Sequence, residues 1–354
     1  MNKQIKQPIM NKQIFIGGTG RSGTTIMSKF LSSHRDITKL PTETRFLIDS
    51  YGMIDLYTSL TNNYSIDKSD ISIRNIKKLL EEYLTSPRTS PYIYQDFYKF
   101  FGEDFYKKQV DEFLSNIILG EFIGYDFQTK FRNYKTKLFF GKYINKTFSL
   151  FEKISNKKIK RFNPLTYGNS PETKYIGKYF ENETELEKLI ADFTNNLFMQ
   201  YAKSKNKGNW CEDTPANIAH IPFLAKIFPD AYFIHMVRNP LGVAYSMGNM
   251  PWAPTNYSDS VDYLSNVYDR IIRVKESKDF NKIKFLEVRL EDFSNDFNHT
   301  IPKLNDFLEI PNDYDGSVEI KSSKVDYYKD LMDKSDFDFL NEKLSKYIEY
   351  FGYK

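Results

Sequence analysis

The feature that most constrains the fold is a glycine-rich loop that directly follows a short apolar stretch. Residues 14–25 read Ile-Phe-Ile-Gly-Gly-Thr-Gly-Arg-Ser-Gly-Thr-Thr, and apolar residues at helical spacing follow them. We therefore predict a strand, a tight glycine turn and the N-terminus of a helix in succession. Such a turn directs backbone N–H groups and the positive end of a helix dipole towards one point, which is a site for phosphate or a similar anion.

The loop differs from a nucleotide-binding P-loop in the position of its cation. Gly18 and Gly23 have P-loop spacing, but Thr24 stands where the P-loop lysine is expected, and the cation is Arg21, inside the loop. A P-loop NTPase also ends a later strand in an aspartate that helps to hold Mg²⁺. Here the predicted strand Phe233–Val237 ends in Arg238, and only Asp292 offers a weak substitute. The sequence argues against magnesium-assisted phosphoryl transfer and predicts no metal site.

Strand and helix signals alternate near both ends of the chain, whereas about residues 50–180 show mainly helical periodicity. We predict an α/β fold, with a P-loop NTPase-like parallel sheet flanked by helices and a large helical insertion over 50–180. Within it, Asp70 is expected to cap a helix. Later, Thr214 and Pro215 are expected to open a helix that continues to Phe228 with a kink at Pro222.

The ends and the composition give further expectations. The segment Met-Asn-Lys-Gln-Ile occurs at 1–5 and again at 10–14, and only the second copy leads into the strand, so residues 1–9 are interpreted as a loose extension. The single cysteine, Cys211, excludes an intrachain disulfide. No apolar run reaches the roughly 18 residues of a membrane-spanning helix, and no signal peptide is visible. A cytoplasmic protein is expected, with peripheral membrane contact left open.

Residues 127–161 are strongly basic. They hold eleven Lys or Arg and one acidic residue, Glu152, and aromatic residues are interspersed among them. Two interpretations remain open. The segment is either a solvated lysine face or a docking surface for an acidic acceptor or an anionic membrane.

A second anion subsite is predicted at Arg238 and Ser246. Ser246 lies eight residues after Arg238, about two helical turns further on. An arginine at a helix start and a hydroxyl on the flank of that helix can hold one phosphate together. With the loop subsite, formed by Gly20, Arg21, Ser22, Gly23, Thr24 and Thr25, this arrangement fits a nucleotide phosphorylated on both its 5′ and 3′ sides.

These stretches resemble the motifs of the PAPS-dependent sulfotransferase family, whose donor is 3′-phosphoadenosine 5′-phosphosulfate. Residues 16–25 resemble the 5′-phosphosulfate loop, and residues 238–246 resemble the 3′-phosphate motif; residues 210–217, 228–231 and 287–293 resemble the stretches around that motif. The resemblance implies one sulfotransferase domain over residues 1–354, PAPS as co-substrate without a metal, and an insertion that binds the acceptor. The acceptor would carry a hydroxyl, on a glycan, a lipid or a tyrosine. An acidic glycan suits the basic insertion, and no nucleic acid is expected.

Residues 43–45, Glu-Thr-Arg, follow the predicted strand Ile37–Leu40 and are similar to a segment of the tyrosylprotein sulfotransferases. The resemblance implies that Glu43 is the general base for the acceptor hydroxyl and that Arg21 stabilises charge on the leaving oxygen. One position departs from the family, because Asp213 stands where many relatives carry a lysine. Either Arg21 acts alone or a later residue, Ser322 or Lys324, substitutes; Asp213 is also an alternative base.

Two other functions remain as alternatives. A P-loop kinase or NTPase would bind ATP with Mg²⁺. A non-catalytic relative would bind an anionic polymer through residues 127–161. The four histidines show no metal-ligand spacing, and His220 and His235 are expected to be core or satisfied polar residues.

Overall fold

The computed structural model describes residues 11–85, 95–124, 134–155, 157–158, 172–318 and 325–353, with only the backbone of 134–138 and 140. The predicted N-terminal extension at 1–9 lies outside these ranges, as do Ser322 and Lys324. Parts of the basic segment 127–161 also lie outside them. Those predictions are therefore not addressed by the structure.

The strands form one parallel sheet and one antiparallel ribbon. The strands are β1 (Gln13–Gly18), β2 (Ile37–Lys39), β3 (Ile118–Gly124), β4 (Glu172–Gly177), β5 (Asn209–Glu212), β6 (Tyr232–Val237) and β7 (Lys284–Arg289). The five-stranded sheet has the order β2-β5-β1-β6-β7, and every neighbouring pair in it is parallel. The carboxyl ends of these strands therefore share one edge, where open α/β sheets bind ligands. The predicted parallel sheet is confirmed.

The helices follow the strands and fill the central segment. They are α1 (Thr24–Ser32), α2 (Met53–Leu60), α3 (Ile66–Lys78), α4 (Phe97–Phe101), α5 (Glu103–Ile117), α6 (Tyr134–Ser155), α7 (Glu183–Ser204), α8 (Ile221–Ile227), α9 (Pro240–Met247), α10 (Tyr257–Lys275), α11 (Leu290–Asn295), α12 (Phe297–Leu308), α13 (Tyr328–Leu331), α14 (Lys334–Lys343) and α15 (Ser345–Tyr350). Among these helices, none is both long enough and apolar enough to cross a membrane.

Both faces of β1 are buried, which explains why its sequence is continuously apolar. Phe15 packs on one face against Phe233, at 5.5 Å between ring centroids, and against Trp210, at 5.3 Å. On the opposite face, Ile14 and Ile16 belong to a separate cluster of buried apolar side chains that also contains Met27 and Ile234. Because β1 is held from both sides, the loop that leaves its carboxyl end starts from a fixed position.

The insertion predicted over 50–180 is not wholly helical. β3 and β4 pair there as an antiparallel ribbon. Asp70 does not cap a helix either: Ser65 caps α3 by accepting the Lys68 N–H, and Asp70 lies inside α3. The buried Asp70 carboxylate instead accepts from Lys174 Nζ at 2.9 Å and from the Tyr175 N–H at 2.9 Å. Asp70, which the sequence predicts as a helix cap, therefore links the ribbon to α3.

The helix predicted from Pro215 to Phe228 is divided in two. A 3₁₀-helix covers Pro215–His220, and α8 begins at Ile221. Pro222 lies in the first turn of α8, where a residue without an N–H group leaves no helical hydrogen bond unmade. The break therefore precedes Pro222.

Candidate active site

The loop between β1 and α1 has the geometry of an anion cradle. Gly23 precedes α1 with φ 98°, and Arg21 has φ 71°, both in the left-handed region that favours glycine. Ser22 is buried, and its N–H and hydroxyl both donate to Thr19 O, at 3.2 and 2.7 Å. The N–H groups of Gly23, Thr24 and Thr25 donate to no acceptor in the described part of the chain. The backbone N–H groups of Gly23, Thr24 and Thr25 are thus available to an anion, whereas the Ser22 N–H shapes the turn.

An aromatic side chain that sequence reasoning missed lies against this loop. A Cβ atom on Gly20 would be 2.6 Å from Cη2 of Trp252, so a larger residue at position 20 would displace the indole from this position. Trp252 follows α9 and is 55% exposed. No motif marked it, because its position depends on how the chain after α9 returns to the loop.

The two predicted anion subsites are directly connected. Arg21 Nε donates to Ser246 Oγ at 2.9 Å, which joins the first loop to α9. Arg238 lies at the end of β6 and donates to Arg21 O at 3.2 Å and to Val325 O at 2.8 Å. Its Nε is buried and has no acceptor within the described residues. The structure therefore brings Arg21, Arg238 and Ser246 together, and within the described residues the Arg238 Nε–H remains available to a ligand.

The acidic stretch 287–293 supports the second subsite. Glu291 accepts the Asn239 N–H at 3.0 Å with Oε1 and the Tyr353 hydroxyl at 2.7 Å with Oε2. Asn239 in turn caps α9 by accepting the Leu241 N–H at 2.9 Å. Glu291 thus fixes the residue next to Arg238.

Glu43 is a half-buried carboxylate after β2. Arg45 Nη1 donates to its Oε2 at 3.1 Å, and Arg45 also holds Asp49 with two hydrogen bonds, of 2.7 and 3.1 Å. Burial raises the pKa of Glu43, and Arg45 acts in the opposite direction. The side chain remains 38% exposed. A carboxylate with a raised pKa and access to solvent suits a general base.

Glu212, at the end of β5, is a buried carboxylate that the sequence did not single out. It accepts the Thr44 N–H at 3.0 Å, the Thr214 N–H at 3.1 Å and the Asn217 side-chain amide at 2.5 Å. Burial raises the pKa of Glu212, and hydrogen bonds from the Thr214 hydroxyl, the Thr44 N–H and the Asn217 amide oppose that shift. Because Thr44 follows Glu43 directly, Glu212 fixes the backbone that carries the predicted base.

Asp213 is only 1% exposed and already has partners. Its Oδ2 accepts from Ser28 Oγ at 2.7 Å and is ion-paired with Lys39 Nζ. Its Oδ1 is buried and has no partner among the residues that the structure describes. Of the two candidate bases, Glu43 is the one that is exposed to solvent.

The described histidines do not form a metal site. His235, in β6, is 2% exposed, and its Nδ1 lies 3.0 Å from Glu287 Oε2. His34 and His220 both have pKa values lowered by burial. Over the described ranges, no group of three or more His, Cys, Asp or Glu side chains is arranged to hold a metal ion.

A parallel sheet with a glycine-rich loop after β1, and with an arginine directly after β6, defines a P-loop-like α/β protein. Within that class, the sequence profile of the sulfotransferase family matches residues 13–118 and 131–315. The chain therefore belongs to the sulfotransferase family. No match was found among curated protein sequences.

Solved sulfotransferase structures are also similar to this chain. The sulfotransferase domain of the olefin synthase from Synechococcus PCC 7002 is 14% identical, with a TM-score of 0.46 and 96% of each chain covered. The sulfotransferase domain from the curacin biosynthetic pathway is 11% identical, with a TM-score of 0.43 and coverage of 96% of this chain and 99% of that domain. Sulfotransferase STF9 from Mycobacterium avium is 13% identical, with a TM-score of 0.39 and coverage of 98% and 78%. The family assignment rests on the sequence match.

Proposed function

We propose that this protein transfers the sulfuryl group of PAPS to a hydroxyl acceptor, with Glu43 as the general base. The observation that carries the proposal is the direct connection of two anion subsites through Arg21, Arg238 and Ser246. The partly exposed carboxylate of Glu43 follows β2, a strand of the same parallel sheet. A donor with phosphate groups on both sides of its ribose matches that arrangement.

The residues present fit such a donor. The free N–H groups of Gly23, Thr24 and Thr25, at the start of α1, suit the 5′-phosphosulfate. Arg238, with its unused Nε–H, and the Ser246 hydroxyl suit the 3′-phosphate. Hydrogen bonds to a charged acceptor contribute about 1.5–3 kcal/mol each. Several of them would hold the nucleotide without a metal ion.

The proposed reaction is an in-line displacement at sulfur. The acceptor hydroxyl gives its proton to a Glu43 carboxylate oxygen, and the acceptor oxygen forms a bond to sulfur. The bond from sulfur to the 5′-phosphate oxygen breaks, and its electron pair stays on that oxygen in the product PAP. Arg21 and the loop N–H groups stabilise the charge that develops there. Positioning and preorganised electrostatics supply most of the rate enhancement.

Calorimetric titration with PAP tests the nature of the donor site. We expect tight PAP binding that does not change when EDTA is added, because the arginines and backbone N–H groups neutralise the phosphates. ATP is titrated in parallel, with and without Mg²⁺. Binding of ATP that requires Mg²⁺, together with weak PAP binding, would favour the alternative of a P-loop kinase or NTPase.

The acceptor is proposed as an anionic, hydroxyl-bearing molecule such as an acidic glycan. The described part of the basic segment is α6 together with residues 157–158. The exposed side chains of α6 include Lys142, Lys146 and Lys153 as well as Tyr143 and Phe151. Cations interspersed with aromatic rings suit an anionic sugar polymer. Transfer of labelled sulfate from PAPS to fractionated host extract would identify the acceptor.

The pH dependence of turnover tests the base through its neighbour Arg45. Glu43 must be deprotonated to act, so kcat falls as the pH falls through its pKa, which burial raises. Arg45 acts to lower that pKa, and Arg45→Met should therefore move the acidic limb of the kcat profile to higher pH, by about one unit. The matched control is Arg35→Met, which removes an exposed arginine paired with Asp313 and should leave the limb in place. An unmoved limb in Arg45→Met would count against Glu43.

A further inference from the structure

A buried ion pair that the proposed reaction leaves unused lies beside the site. Lys39 ends β2 and Asp213 follows β5, and these two strands are neighbours in the sheet. Ser28 Oγ on α1 lies 2.7 Å from the same Asp213 oxygen and 3.1 Å from Thr25 O, and its single O–H group donates to one of these acceptors at a time. The pair is thereby joined to the first turn of the helix whose N-terminus forms the anion loop.

Two polar groups of this pair have unused hydrogen-bonding capacity. Asp213 Oδ1 is buried with no partner in the described ranges, which is costly for a carboxylate. The Lys39 ammonium has three N–H donors, and Asp213 is the one acceptor that it meets in the described part of the protein. The Lys39 side chain is 22% exposed, whereas Asp213 is 1% exposed. Buried ion pairs often contribute little net stability, so stability alone does not account for this one.

The pair also lies within electrostatic range of the proposed base. Asp213 acts to raise the pKa of Glu43, and Lys39 acts to lower it. Lys39 is thus close to both the carboxylate that would activate the acceptor and the helix that would hold the leaving phosphate. In the proposed reaction, the sulfuryl group moves from the phosphate at the start of α1 to the acceptor that Glu43 activates.

We propose that Lys39 is a catalytic residue whose ammonium contacts the non-bridging oxygens of the transferring sulfuryl group, and that Asp213 is a positioning residue that orients it. This inference rests on the proposed function. The N–H groups of the Lys39 ammonium meet negative charge on the sulfuryl oxygens while the acceptor–sulfur bond forms and the bond to phosphate breaks. In this chain, the cation that would meet the sulfuryl group therefore comes from β2. A carboxylate occupies position 213, where many relatives carry a lysine.

Lys39→Met should lower kcat by about 10²-fold, since one preorganised contact to transition-state charge is lost, and should change PAP affinity by less than about twofold, because PAP lacks the sulfuryl group. Lys29→Met, at an exposed lysine on α1, is the matched control and should leave both quantities unchanged. A purely structural pair would lower kcat, PAP affinity and Tm together.

The double variant Lys39→Met/Asp213→Asn separates the two roles even if the single variant folds poorly. It removes the unpaired buried charge, so Tm should recover, while kcat should stay as low as in Lys39→Met. Recovery of kcat along with Tm would overturn the catalytic role of Lys39 and leave the proposed function intact. Absence of PAPS-dependent transfer by the unaltered protein would instead contradict the proposed function.

Discussion

Glu43→Gln is expected to lower kcat by about 10²–10⁴-fold while leaving the affinity for PAP nearly unchanged. Glutamine has the shape of glutamate but cannot accept the acceptor proton. The side chain contacts Arg45 rather than the anion loop, so the nucleotide site should remain intact. Steady-state transfer of labelled sulfate gives kcat, and calorimetric titration gives the PAP dissociation constant.

The matched control for this variant is Glu172→Gln. Glu172 is also ion-paired to an arginine, Arg74, but at an exposed position on the ribbon, and its loss should change neither quantity. Equal losses of kcat and PAP affinity in Glu43→Gln would show that Glu43 supports the fold of the site rather than the chemistry. Retained turnover in Glu43→Gln, combined with abolished turnover in Asp213→Asn, would identify Asp213 as the base.

The sheet and the anion loop were predictable because their signals are local. An apolar run such as Ile14–Ile16 is dictated by burial on both faces, and Gly23 is favoured by its positive φ at a single turn. Arg238 and Ser246 share one short stretch, so spacing alone placed them together. Each of these predictions needed only about ten consecutive residues.

The ion pair and the carboxylate that support Glu43 could not be predicted in this way. Lys39 pairs with a residue 174 positions away, and Thr44 donates to Glu212, 168 positions away. Such contacts depend on which strands become neighbours in the sheet. No local sequence pattern predicts the strand order β2-β5-β1. The ribbon of β3 and β4 was missed for the same reason, since its two strands are separated by α6.

Arg238→Ala is expected to weaken PAP binding by about 10²-fold and to weaken adenosine 5′-phosphosulfate binding far less. The second ligand lacks the 3′-phosphate that Arg238 is proposed to hold. Hydrogen bonds to a charged group contribute about 1.5–3 kcal/mol each, and about 1.4 kcal/mol corresponds to tenfold in affinity, so the loss of one or two such bonds gives this magnitude. Calorimetric titration of both ligands measures the difference directly.

The comparison of two ligands is needed because Arg238 also supports the loop. It donates to Arg21 O and to Val325 O, so its removal would disturb the first subsite to some extent. Adenosine 5′-phosphosulfate uses that first subsite, so its change in affinity measures the disturbance of the loop alone. Arg270→Ala removes an exposed arginine that donates to Ala219 O, and it controls for the loss of one positive charge. If both ligands weaken alike, Arg238 shapes the loop and the 3′-phosphate binds elsewhere. If PAP weakens selectively, the arginine at the end of β6 selects the doubly phosphorylated nucleotide.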